Sequence, residues 1–153
     1  MKHIVGDLLA NVNRGIIVHG CNAQGVMGGG FALQVRKIYP EAFNAYVTDL
    51  KRIQMFGATG LGKAPFVRVK EDLYIVNGIT QDQFGTDKRY VDYEAVAKVF
   101  TRVRELSETL QAKPLPIHYP MIGAGLAGGN WTIISTIIDE TLIGCDHTLW
   151  TLK

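Results

Sequence analysis

Two segments of this 153-residue chain combine residue types and spacings suited to holding a phosphorylated ligand. The first reads His19-Gly20-Cys21-Asn22-Ala23-Gln24-Gly25-Val26-Met27-Gly28-Gly29-Gly30-Phe31-Ala32. The second reads Pro120-Met121-Ile122-Gly123-Ala124-Gly125-Leu126-Ala127-Gly128-Gly129-Asn130-Trp131. Each follows an apolar run of strand length and opens a helical pattern. Glycine lets backbone N–H groups approach a phosphate closely, and a helix N-terminus adds a favourable dipole. Three consecutive glycines exceed what one tight βα turn requires, so the first loop reads as an anion site. The second has Gly-x-Gly-x-x-Gly spacing, but it comes late, with little chain left for the acidic residue a dinucleotide fold places about 20 positions downstream. That argues against a dehydrogenase. A third glycine stretch, Gly57 to Pro65, only imitates a nucleotide-binding P-loop. Ala64 stands where Ser or Thr would hold magnesium, and Pro65 leads towards a strand.

The elements around these loops alternate in type. Strand-length apolar runs fall at His3 to Val5, Gly15 to Gly20, Phe66 to Val69, Leu73 to Ile79, Leu115 to Ile122 and Thr148 to Leu152. Helical patterns cover Gly30 to Tyr39, Glu41 to about Ile53, Tyr93 to Leu110 and Trp131 to Leu142. Lys70-Glu71-Asp72 reads as a tight turn joining antiparallel strands. The expectation is an α/β fold with a mixed sheet of about six strands and helices on both faces.

Length and composition suit one domain over residues 1–153. A formal charge of +2, with no block of Lys and Arg, gives no electrostatic reason to expect direct nucleic-acid or membrane binding. No segment approaches the ~20 apolar residues of a membrane helix, and the first residues lack signal-peptide character. Cys21 and Cys145, far apart, suggest neither a disulfide framework nor a metal site. A cytoplasmic monomer without cofactor or metal is expected.

The combination of Gly6-Asp7-Leu8-Leu9, His19-Gly20-Cys21-Asn22, Gly28-Gly29-Gly30-Phe31-Ala32 and Gly123-Ala124-Gly125-Leu126-Ala127-Gly128 resembles the macro domain over essentially the whole chain. Within that family it is most similar to the small ADP-ribose 1″-phosphate phosphatases. The resemblance implies a three-layer α/β/α fold with an ADP-ribose cleft. Asp7 would accept a hydrogen bond from the adenine amino group, with Leu8 beside it. The other reading of Asp7 is a helix or turn cap. Asn22 would contact the distal ribose, its amide able to donate and accept; alternatively it builds an asparagine turn. Gly28, Gly29 and Gly30, with Phe31, would line the phosphate side of that ribose. Ile122, Gly123, Ala124, Gly125, Leu126 and Ala127 would wrap the diphosphate through backbone N–H groups. Trp150 would lie against the adenine, or else fill the core. Phe84 lies in a loop that corresponds loosely to one with which relatives line the distal pocket.

The implied activity is hydrolysis of ADP-ribose 1″-phosphate to ADP-ribose and phosphate. Its rivals are non-catalytic reading of ADP-ribose, free or on modified protein, and hydrolysis of ADP-ribosyl or acetyl-ADP-ribose esters. His19, at a strand end beside the first loop and with an ordinary pKa near neutrality, is the leading acid/base candidate alongside Asn22. The bland reading of His19 is a buried strand histidine. His118 is a weaker candidate, and His147, Asp139 and Asp146 cannot be placed by sequence. Two departures matter. Family members that cleave with a lysine and an aspartate carry Asp where this chain has Ala127, and another large group carries Asn-Ala-Ala-Asn where this chain has Cys21-Asn22-Ala23-Gln24.

Overall fold

In the computed structural model, which describes residues 1–153, the chain runs β1 (Lys2–Val5), α1 (Leu8–Asn11), β2 (Gly15–Asn22), α2 (Gly30–Ile38), α3 (Pro40–Met55), β3 (Phe66–Lys70), β4 (Leu73–Gln81), α4 (Tyr93–Thr109), β5 (Ile117–Tyr119), α5 (Trp131–Thr141) and β6 (His147–Thr151). The six strands form one sheet in the order β1-β6-β5-β2-β4-β3. Every neighbouring pair is parallel except β3 with β4, which the short turn at Glu71 and Asp72 closes as an antiparallel hairpin.

Side-chain alternation along the two central strands divides the core. Ile16 and Val18 of β2, with Tyr74 and Val76 of β4, face α4 and α5, where Val96, Val99, Phe100, Val103, Ile134 and Ile138 cover them. Ile17, Leu73 and Ile75 face the other way, against Leu8, Leu9, Val35 and Ala42. Cys21 and Ile79 continue that second face over Met27, Tyr46 and Leu50. Both faces of the sheet are therefore buried, which explains why β2 and β4 read as unbroken apolar runs. Burying each such aliphatic side chain stabilises by roughly 1.5–3 kcal/mol. Gly78 is required here: a Cβ would come 2.6 Å from Val99 Cγ1 and push α4 off β4.

Two elements differ from the sequence expectation. The run from Leu115 to Ile122 yields only three residues of strand, Ile117–Tyr119. Pro116 and Pro120 bracket them, and a proline has no N–H for the ladder. The short helix α1 was not foreseen; four residues are too few for a periodic signal, and Asp7 caps it by accepting from Ala10 N at 3.2 Å. The long helices agree within two residues or so at each end. No helix is long and apolar enough to cross a membrane.

Topology places the two glycine loops side by side. β2 and β5 are parallel neighbours, but the chain leaves β2 for α2 on one face and leaves β5 for α5 on the opposite face. Where adjacent parallel strands send their connections in opposite directions, a crevice opens beyond their C-terminal ends.

Candidate functional site

That crevice is a groove with two connected lobes of about 600 Å³ and about 540 Å³, which share Phe31, Pro120 and Met121 as walls. The larger lies between the glycine loops and the smaller between α1, α2 and β6.

In the larger lobe the polar lining is mostly backbone. Gly29 caps α2 without a side chain to offer, so the first-turn N–H groups of Gly30, Phe31 and Ala32 make no hydrogen bond within the protein. Gly30 has φ of 57°, a left-handed conformation that favours glycine. On the facing loop, the N–H groups of Gly125, Leu126 and Ala127 are likewise without protein acceptors. The two loops meet across the groove: a Cβ on Gly29 or Gly30 would touch Leu126 Cδ1 at 3.4 or 3.5 Å. Unpaired donors on both sides of one slot suit a diphosphate. The N-terminus of α5 contributes less than expected, because the Asn130 side chain already accepts from Thr132 N at 2.9 Å. Ala124 turns into the core instead of lining the lobe.

In the smaller lobe, Asp7 is exposed and lines the wall with Leu8. The cap reading of Asp7 holds, and it uses only one of the two carboxylate oxygens. Its Oδ1 caps α1, while Oδ2 has no protein partner and remains a carboxylate acceptor. Trp150 is half-buried on the same wall, its ring packed over Gly6 and its Nε1–H donating to His118 Nδ1 at 3.1 Å. That bond requires an unprotonated His118, and burial accordingly holds its pKa below the ordinary value.

The two side chains expected to carry catalysis are corrected by the structure. His19 is 1 % exposed and does not line the groove. β2 alternation turns it under α2, 5.9 Å from the Phe31 ring, where its Nε2 bonds to Asn77 Oδ1 at 2.7 Å. Asn77 Nδ2 donates to Ala42 O, so Asn77 Oδ1 is the acceptor and His19 Nε2 carries the proton. Burial lowers the His19 pKa to about 4, against the smaller opposing effect of that hydrogen bond. Asn22 lines the larger lobe, but its amide is committed to its own loop. Oδ1 accepts from Gln24 N at 2.9 Å and more weakly from Val26 N at 3.4 Å, Tyr46 OH divides its one proton between Asn22 O at 2.6 Å and Oδ1 at 2.9 Å, and Nδ2 donates to Val26 O at 2.8 Å. The asparagine turn is what the structure shows.

No known family profile matches the chain. A relative from Enterobacteria phage T4, the uncharacterized 17.5 kDa protein in the tk-vs intergenic region, is 34% identical over 142 residues, 91% of this chain and 88% of that protein. An ADP-ribose 1″-phosphate phosphatase of Meyerozyma guilliermondii is 27% identical over 92% of this chain and 93% of its own length. A DNA ADP-ribosyl glycohydrolase of Thermus aquaticus is 29% identical over 82% of this chain, which spans 33% of that longer protein. The solved structure of a macrodomain protein from Streptomyces coelicolor matches with a TM-score of 0.80 at 31% identity, covering 97% of each chain. The chain belongs to the macro domain family.

The remaining acid/base candidates in this macro domain, His118, His147, Asp139 and Asp146, line neither lobe of the groove. His147 bonds through Nδ1 to Tyr119 OH at 2.7 Å, and its Nε2 lies 3.8 Å from Asp139, which also pairs with the N-terminal amine at 3.3 Å. Asp146 pairs with Lys2 at the sheet edge. The Gly57 to Pro65 stretch runs into β3, with no helix after it. Phe84, 53 % exposed, does line the larger lobe, with Thr86 and Gln81. Gln81 and Gln34, the latter in the smaller lobe, went unread in the sequence. Gln34 shares a helix face with Phe31 and Ile38, and that i, i+3, i+7 spacing could have marked it. The thiol of Cys21 touches the larger lobe, yet burial pushes its pKa far up and leaves it unreactive.

Proposed function

We propose that this macro domain binds ADP-ribose, with adenosine in the lobe of Asp7 and Trp150, the diphosphate between the glycine loops and the distal ribose beside Asn22 and Phe84. One observation carries this reading: residues with unpaired backbone N–H groups, Gly30 to Ala32 and Gly125 to Ala127, line opposite sides of one slot, with an unpaired Asp7 carboxylate oxygen in the adjoining lobe. Anion donors and an amine acceptor thus occupy separate parts of a connected groove. The ligand is ADP-ribose free or attached to protein. Titration calorimetry with ADP-ribose tests it; absence of heat at millimolar ligand removes the reading.

A second reading, hydrolysis of ADP-ribose 1″-phosphate to ADP-ribose and phosphate, is favoured by the named activity of the Meyerozyma relative across nearly its full length. The larger lobe is lined by no imidazole or carboxylate. Turnover would rest on backbone amides stabilising the phosphoryl oxygens and on water activated by the phosphate itself. Phosphate release from the 1″-phosphate by wild-type protein decides between binding alone and hydrolysis. Esters of ADP-ribose are the third substrate class, tested by release of the acid.

A further inference from the structure

Asn22 is the side chain that the family resemblance assigns to the distal ribose, and its acceptor oxygen already takes the backbone N–H groups of Gln24 and Val26, with the Tyr46 hydroxyl shared between it and Asn22 O. A ribose hydroxyl needs an acceptor as well as donors. Backbone N–H groups of the glycine loops supply only donors.

The register of the sheet puts another amide at this point. Asn22 and Gln81 are paired residues at the C-terminal ends of β2 and β4, just past a register shift in β2 between Cys21 and Asn22. Gln81 lines the larger lobe and is half-buried. Its Nε2 donates to Gln83 O at 2.8 Å, which orients the amide, while Oε1 takes no hydrogen bond from the protein. An amide held by its nitrogen presents a fixed oxygen. The other uncommitted polar side chain of the lobe, Thr86, is exposed and has no hydrogen bond to orient it.

Resting on the proposed ADP-ribose reading, we infer that Gln81 Oε1 is the acceptor for a hydroxyl of the distal ribose and makes the groove discriminate ADP-ribose from ligands that end at the diphosphate. The backbone at Gln81, which bridges Val91, is untouched by a side-chain change. The amide therefore contributes to selectivity more than to the fold.

The test compares ADP-ribose with ADP, which has the same adenosine and diphosphate but no distal ribose. Calorimetry is run with both ligands on wild type and on Gln81→Leu. In wild type ADP-ribose binds more tightly than ADP. In Gln81→Leu the affinity for ADP-ribose falls roughly five- to tenfold, the size of one neutral hydrogen bond, and the affinity for ADP stays as in wild type. Unchanged ADP affinity also shows that the variant is folded with its groove intact. Equal losses for both ligands, or an unchanged ADP-ribose affinity in Gln81→Leu, overturn the role of Gln81. If wild type binds neither ligand, the proposed function itself falls, and the role of Gln81 falls with it.

Discussion

His19 Nε2 and Asn77 Oδ1 lie 2.7 Å apart in the sealed layer between the sheet and the helices α2 and α3. The bond joins β2 to β4, and Asn77 passes the connection on to Ala42 at the start of α3. The bond fixes the imidazole beneath the groove floor and burial keeps it neutral, so the histidine supports Phe31 from behind instead of meeting a ligand.

Stability should therefore depend on pH in a defined window. The His19 pKa is about 4 in the folded protein against an ordinary 6.5. Between these values the unfolded chain binds a proton that the folded one refuses. Stability is thus complete above about pH 6.5, declines as pH falls towards about 4, and levels off below. The total loss from this residue is roughly 3 kcal/mol, and His118 and His147, also lowered by burial, add in the same direction. Urea unfolding at a series of pH values measures the slope. His19→Gln should be less stable than wild type at pH 7.5 but show a flatter slope; an equally steep variant would show that another group titrates.

Asp7 caps α1 through one oxygen and leaves the other free on the groove wall, so the proposed binding role can be tested apart from the cap. Asp7→Asn keeps a cap acceptor, so the melting temperature should change little. Losing a charged acceptor for the adenine amine should weaken ADP-ribose binding by roughly tenfold or more. Asp7→Ala should lose the same affinity and about 1 kcal/mol of stability besides. Wild-type affinity in Asp7→Asn would remove the carboxylate from recognition.

The second glycine loop contains positions of opposite kinds. Gly123 has φ of 74°, and a Cβ there would lie 2.6 Å from Val91 Cγ2, whereas Gly125 has nothing within 4 Å of its Cβ site. Gly123→Ala should lower the unfolding midpoint sharply. Gly125→Val should fold with near wild-type stability and lose ADP-ribose affinity by filling the slot. Retained affinity in Gly125→Val would place the diphosphate elsewhere.

Trp150 reports on the adenosine lobe. The chain has two tryptophans, and Trp131 lines neither lobe. In Trp131→Phe protein, ADP-ribose should alter the remaining tryptophan emission, and the titration midpoint should match the calorimetric affinity. Emission unchanged at saturating ligand would leave Trp150 a core residue alone.

The alternating elements, the mixed sheet and both glycine loops were legible along the chain because they depend on local chemistry: apolar period, turn residues and backbone freedom at Gly28 to Gly30 and Gly123 to Gly129. The Asp7 cap was readable too, since it is a property of a carboxylate at a helix start. Direction was not. His19 and Asn22 stand in the right segment, but whether each meets a ligand or the protein depends on partners far along the chain, Asn77 for His19 and Tyr46 for Asn22. Gln81 stayed unread for the same reason, because its value as an acceptor comes from parallel register with Asn22. Motif spacing determines which backbone can bend around a phosphate. Only the packed sheet, by pairing strands remote in sequence, decides which polar atoms are satisfied inside the protein and which are left for something outside it.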